Sequence, residues 1–200
     1  QRTLVMARAA DDLAARGQRA YVIPEGGSNA LGSLGYVDAM REVREQLDLG
    51  LGGGPRAFDS VVFACGSGGT AAGVVLGAAE WDVAPQAHAM AVCDDAPYFE
   101  RVVGRIAIQA QGLAPELDRM AKLCVVDRFK GPGYGVASDE QRRFIVEVAR
   151  RTGLLLDPVY TGKAMFALAR LESKPKRVLF VHTGGLPGLL AQADAFAGEF

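Results

Sequence analysis

Two hundred residues, half of them hydrophobic and 22% charged, with a formal net charge of −1, describe a chain able to bury one large core. The balanced charge, without a block of Lys and Arg, gives no support to nucleic-acid binding. No apolar run approaches the roughly 20 residues that cross a bilayer, and "QRTLVMARAADDLAARG" has neither the apolar core nor the cleavage site of a signal peptide, so no membrane partner is read.

The N-terminal stretch "LVMARAADDLAARG" reads as an amphipathic helix closed by Gly17, and "RAYVIP" at 19–24 reads as a strand directly after it. The chain starts without methionine and inside a structural unit, so further sequence is expected upstream. The turn "IPEGGSNALGSLGY" leads into a helix over 33–47, and "LDLGLGGGPRAF" at 48–57 is the most flexible connection. Buried strands are expected in "FDSVVFAC", "AHAMAVC", "AKLCVVD" and "KRVLFVH", with helices over 69–80, 97–110, 138–152 and 161–173. Ser138 followed by Gln141 fits a capping box at the start of one of them. Strands alternating with helices predict an α/β fold, a parallel sheet with helices on both faces. Ligands in such sheets gather at the carboxyl ends of the strands, which directs attention to the loops after Ala64, Val126 and Val181.

Two of those loops share a pattern. "VVFACGSGGTAAG" and "VLFVHTGGLPGLL" each run from an apolar strand through Gly and Ser or Thr into a helix, which turns backbone N–H groups toward an anion at a positive helix end. A phosphate held by Ser67, Gly68, Gly69 and Thr70 follows, although such turns also arise from close packing alone. Gly66-x-Gly68-x-x-Ala71 also satisfies the dinucleotide pattern, and Asp94 and Asp95 stand where a ribose-binding acid belongs, so a nicotinamide-dependent oxidoreductase domain is the competing class. The segment upstream of the loop does not resemble the start of a nucleotide-binding half. Cys65, Cys93 and Cys124 are an odd number, widely spaced in apolar stretches, and read as reduced core thiols of a cytoplasmic protein, with no metal site.

"IPEGGSNALGSLGY", "CGSGGT", "FKGPGYGVASDE", "LLLDPVYTGKAM" and "FVHTGGLPGLL" form an ordered set. It resembles the D-cysteine desulfhydrase and 1-aminocyclopropane-1-carboxylate deaminase family of pyridoxal phosphate enzymes, from about residue 19 to 190. That resemblance implies most of the large domain of a fold-type II enzyme in residues 25–200, with 1–24 as the tail of the smaller domain. It implies pyridoxal 5'-phosphate as cofactor, with Gly66, Ser67, Gly68, Gly69 and Thr70 at its phosphate and Thr161, Thr183 and Gly184 near its ring. Tyr134 and Tyr160 correspond to catalytic tyrosines, and Gly27, Ser28 and Asn29 to the substrate side of the cleft, where a plain turn is the alternative.

Thr161 stands where ring-opening deaminases carry an acid, and Thr183 is similar to the residue facing the pyridine nitrogen in desulfhydrase-like members. The implied reaction is β-elimination from a small sulfur-bearing amino acid, giving pyruvate and ammonia with sulfide or sulfite. 1-Aminocyclopropane-1-carboxylate deamination and L-cysteate sulfo-lysis are the alternatives. Lys163 sits in a motif whose lysine is not the cofactor lysine in that family, and nothing in the chain matches the Schiff-base lysine, so the chain alone is expected to be inactive. His182 is read as hydrogen-bonded rather than as an acid or base. Family members are commonly homodimers, which is the expectation for the full-length protein.

Overall fold

A computed structural model describes residues 2–198. Helix α1 (Arg2–Ala15) is followed by α2 (Ala30–Asp48), β1 (Ser60–Cys65), α3 (Gly69–Glu80), β2 (Gln86–Ala91) and α4 (Ala96–Leu113). Then come β3 (Lys122–Val126), α5 (Asp139–Thr152), α6 (Thr161–Ala169), β4 (Val178–Phe180) and the short α7 (Leu186–Leu190). The four strands form one sheet in the order β3-β2-β1-β4, and every pairing is parallel. This is the expected doubly covered α/β sheet.

Alternation along the central strand decides which helix covers which face. Val61, Phe63 and Cys65 of β1 point into a core shared with α2, α3 and α4, while Val62 and Ala64 point to the other side, against Ala164 and Ala167 of α6. Because β1 is buried on both faces, all six of its residues are inaccessible, which is why "SVVFAC" is continuously apolar after Ser60. Among the described residues, no helix is long and apolar enough to cross a membrane.

Helix α3 runs under α2 at unusually close range. A Cβ on Gly73 would stand 2.1 Å from the carbonyl oxygen of Ser33 and 2.6 Å from Cβ of Tyr36, so only glycine lets the two backbones meet. Gly73→Val is expected to destabilise the chain by about 3 kcal/mol through overpacking, read from urea unfolding followed by circular dichroism. A loss below about 1 kcal/mol would show that α2 simply slides away.

Helix α5 begins as its sequence predicts: Ser138 accepts from the Gln141 N–H at 3.2 Å, and the Gln141 side chain accepts from the Ser138 N–H at 2.9 Å. The strand expected at 19–24 is absent. Residues 19–24 are irregular, and Tyr21, Val22 and Ile23 are exposed. Their β-forming composition finds no neighbouring ladder among the described residues, and without one an extended segment gains no inter-strand hydrogen bonds.

Candidate active site

The carboxyl ends of β1, β2 and β4 open into a cleft of about 830 Å³. Gly66, Ser67 and Thr70 line it after β1, Cys93 and Asp94 after β2, and Thr183 and Gly184 after β4, together with Tyr134 and Tyr160. The loops selected by the strand-end rule after β1 and β4 thus meet.

At the β1–α3 turn, Gly68 has φ +93°, a left-handed conformation that suits glycine, and a Cβ there would meet Val102 Cγ1 at 2.9 Å. The first turn of α3 carries no acidic residue. The positive end of its dipole is therefore not offset by a carboxylate on the helix itself. The Gly69 N–H donates to Ser28 Oγ at 3.1 Å, and Ser28 Oγ lies 2.7 Å from Ser67 Oγ. Neutral hydroxyls of Ser28, Ser67 and Thr70 lining the cleft at a helix N-terminus, with no carboxylate in that first turn, fit a phosphate monoester.

Ser28, expected on the substrate side, is thereby part of this donor set. Asn29 is engaged elsewhere: its side chain accepts from the Gly32 N–H at 2.7 Å and caps α2. Neither Asn29 nor Gly27 lines the cleft. The contact of Ser28 with a loop some 40 residues later has no signal in the local sequence.

Tyr134 and Tyr160 are joined hydroxyl to hydroxyl, with ring centroids 5.9 Å apart and planes at 73°. Burial, followed by that hydrogen bond, raises the Tyr160 phenol well above its ordinary range. Tyr160 therefore stays in its neutral phenol form near neutral pH, and the exposed Tyr134 links it to solvent. Tyr160 also packs edge-on to the phosphate turn, where a Cβ on Gly66 would be 3.1 Å from its Cε1.

Asp157 builds the turn that delivers Tyr160. Its carboxylate, 1% exposed, accepts from the N–H groups of Val159 at 2.8 Å, Tyr160 at 2.8 Å and Thr161 at 2.7 Å, and from the Thr161 hydroxyl at 2.7 Å. Thr161 is therefore fully buried against Asp157 and does not line the cleft, contrary to the expectation that it neighbours the ring. Asp157 was missed in the sequence because "LDPVY" reads as a turn. An Asp followed by Pro and then a helix start is the signal that was available.

Lys163 is 1% exposed and does not line the cleft; its ammonium donates to the carbonyls of Gly133 at 2.6 Å and Val92 at 3.3 Å. His182 is exposed, and both ring nitrogens are engaged. Its Nδ1 accepts from the Gly184 N–H at 3.1 Å, which leaves Nε2 to donate to the Leu155 carbonyl at 3.0 Å. Asp95 accepts from the Tyr98 N–H at 2.9 Å and caps α4, so its carboxylate is committed to the helix rather than free for a ribose. All three cysteines are free thiols, and burial pushes Cys65 up to about 12.

A parallel α/β sheet with a turn after β1 that fits a phosphate, and a tyrosine pair lining the same cleft, is the arrangement of an enzyme that holds a phosphorylated cofactor at a strand end. Residues 3–184 match the family described as "Pyridoxal-phosphate dependent enzyme", and the chain belongs to it. It is 41% identical over 201 residues to the bifunctional D-cysteine desulfhydrase/1-aminocyclopropane-1-carboxylate deaminase, mitochondrial, of Arabidopsis thaliana, covering 94% of this chain and 47% of that protein. A Thermotoga maritima protein provisionally named a 1-aminocyclopropane-1-carboxylate deaminase is 40% identical over 181 residues, covering 89% of this chain and 55% of that one.

A crystal structure of an ACC deaminase homologue superposes with a TM-score of 0.79 at 32% identity, covering 97% of this chain and 58% of that chain. The chain spans about half the length of the curated relatives it matches. The resemblance to this family, the fold-type II architecture and the pyridoxal phosphate cofactor expected from the motifs are borne out.

Proposed function

We propose that the chain is the phosphate- and ring-binding part of a desulfhydrase-like lyase, which removes a sulfur-bearing group from the β-carbon of a small amino acid. The observation that carries this reading is the common cleft in which the Ser67–Thr70 turn faces the Tyr134–Tyr160 pair. When bound, the cofactor supplies an electron sink for the carbon that loses its proton. Gly66, Ser67, Thr70 and Ser28, which line the cleft, hold its phosphate and orient it, while Gly68 and Gly69, which do not line it, shape the turn behind them. Tyr160, kept neutral by its surroundings, holds a proton at its hydroxyl, and Tyr134 passes it toward solvent.

Thr183 and Gly184 line the wall where the ring belongs, and a threonine hydroxyl there leaves the pyridine nitrogen less protonated than a carboxylate does. That favours loss of a good leaving group over opening a cyclopropane ring. In this reading residues 1–24 end the smaller domain, residues 25–200 form most of the larger, and the active species is a homodimer of the full-length protein.

The described residues lining the cleft include no lysine. The cofactor-bonding lysine is therefore proposed to come from outside this chain, and the chain by itself to be inactive. Borohydride reduction after incubation with pyridoxal phosphate, with peptide mass mapping, is expected to leave Lys163 unlabelled, because its ammonium is buried and bonded to two carbonyls. A stoichiometric adduct at Lys163 would overturn that assignment.

The substrate is tested in the complete reading frame containing this chain, supplied with D-cysteine, L-cysteate or 1-aminocyclopropane-1-carboxylate. Pyruvate with sulfide from D-cysteine is the expected result. Pyruvate with sulfite only from L-cysteate, or 2-oxobutanoate from the cyclopropane amino acid, would move the assignment to one of the alternatives. A protein that stays colourless with the cofactor would end the lyase reading.

A further inference from the structure

The segment 129–137, which carries Tyr134, has no helix or strand of its own. Side chains from elsewhere hold it by its carbonyl oxygens. Gln141 Nε2 donates to the Phe129 carbonyl at 2.8 Å, and Gln192 Nε2 to that of Gly135 at 3.3 Å. Lys163 Nζ donates to Gly133 at 2.6 Å.

Arg142 Nη1 also donates to the Ala137 carbonyl at 2.7 Å, and the Lys163 tie differs from the other three in its location. Gly133 is the first residue of a tight turn, since its carbonyl also accepts from the Val136 N–H at 3.2 Å, and Tyr134 is the second. Lys163 therefore grips the oxygen next to the tyrosine. Its other bond, 3.3 Å to the Val92 carbonyl, reaches the carboxyl end of β2 beside Cys93, which lines the cleft. Lys163 is the third residue of α6, directly after the Asp157-built turn that presents Tyr160. One side chain thus spans the strand end, the Tyr134 turn and the helix following Tyr160.

We propose that Lys163 is a positioning residue whose buried ammonium fixes the Gly133–Val136 turn against the end of β2 and so sets the contact between Tyr134 and Tyr160. This rests on the reading of the two tyrosines as the proton-handling pair of the cleft. A buried ammonium needs partners for its donors, and here it takes them from two backbone oxygens that cannot turn away as side chains can. Burial lowers the basicity of Lys163, while the facing Cys93 and Asp157 oppose that shift.

The test needs neither cofactor turnover nor a substrate. In Lys163→Met, which keeps the volume and removes the donors, amide exchange over residues 131–136 is expected to rise at least tenfold relative to that of β1 and β2. Carbon-13 resonances of ring-labelled tyrosines, assigned with Tyr134→Phe and Tyr160→Phe, are expected to show Tyr160 ionising at lower pH than in the unaltered chain. Unchanged exchange in the turn with unchanged Tyr160 titration would overturn the proposal, as would a uniform acceleration across β1, β2 and the turn, which space-filling alone predicts.

Should Lys163→Met fail to fold, the unaltered chain labelled with nitrogen-15 lysine decides. A protected Nζ signal coupled through the hydrogen bond to the Gly133 carbonyl supports the tie, and an unprotected one removes it. Failure of the lyase reading would appear in the substrate assays and leave these readouts untouched.

Discussion

Gly69→Val is expected to weaken pyridoxal phosphate binding by about 100-fold, equivalent to about 2.7 kcal/mol, with the circular dichroism spectrum retained. A Cβ at Gly69 would stand 2.7 Å from Ser28 Oγ and 2.9 Å from Ser28 Cα. The second distance is to backbone and cannot be relieved by a rotamer change, so the 25–29 turn must leave the N-terminus of α3. That removes the Ser28 hydroxyl from the donor set and displaces the wall of the cleft that Ser28 forms. Titration calorimetry with the cofactor measures the effect, and Ser67→Ala, which deletes one hydroxyl without a clash, should lose about tenfold, the low end of the about 1.5–3 kcal/mol that a hydrogen bond to a charged group contributes. An affinity for Gly69→Val within threefold of the unaltered chain would mean that the phosphate is not held at this turn.

Asp157→Ala is expected to cost about 4 kcal/mol of stability, the largest single effect in the molecule outside overpacking. Three backbone N–H groups and the Thr161 hydroxyl lose their acceptor in a place that is 1% exposed, and each orphaned buried donor carries a penalty of about 1–3 kcal/mol that adds incompletely with its neighbours. Against a typical domain stability of about 5–15 kcal/mol, such a loss leaves a marginal chain. Asp157→Asn retains one carbonyl acceptor and should fall between. Urea unfolding measures both, and a loss below about 1 kcal/mol for the alanine variant would show that the Tyr160 turn is held by other contacts.

The parts of this molecule that were legible in its sequence are those whose cause is local. Helix α3 starts and stops where the Gly-rich turn and the following small residues place it, and α5 starts at its capping box. The four strands were visible as apolar runs, but only β1 is buried along its whole length, as a parallel strand covered on both faces is, whereas the edge strands β3 and β4 are half-buried and Lys122 is exposed. Boundaries moved where the signal was weakest: the helix expected over 161–173 ends at Ala169, and that over 33–47 begins at Ala30, where Asn29 caps it.

The errors share a different cause. "RAYVIP" has strand-forming residues and no strand, since pairing depends on a neighbour that no local pattern supplies. Thr161 was expected near the ring and turns instead to Asp157, while Ser28 was expected beside the substrate and joins the phosphate turn.

The sequence by itself determined most of the elements, the parallel sheet and the family, because those depend on periodicity, glycine spacing and ordered motifs. Only the tertiary structure decided that Ser28 meets Gly69, that Asp157 delivers Tyr160, and that Lys163 is withdrawn from the cleft to hold the Tyr134 turn. The physical reason is that a buried donor or acceptor must find a partner, and which partner stands within about 3 Å is fixed by how helices and strands pack, not by their own residues.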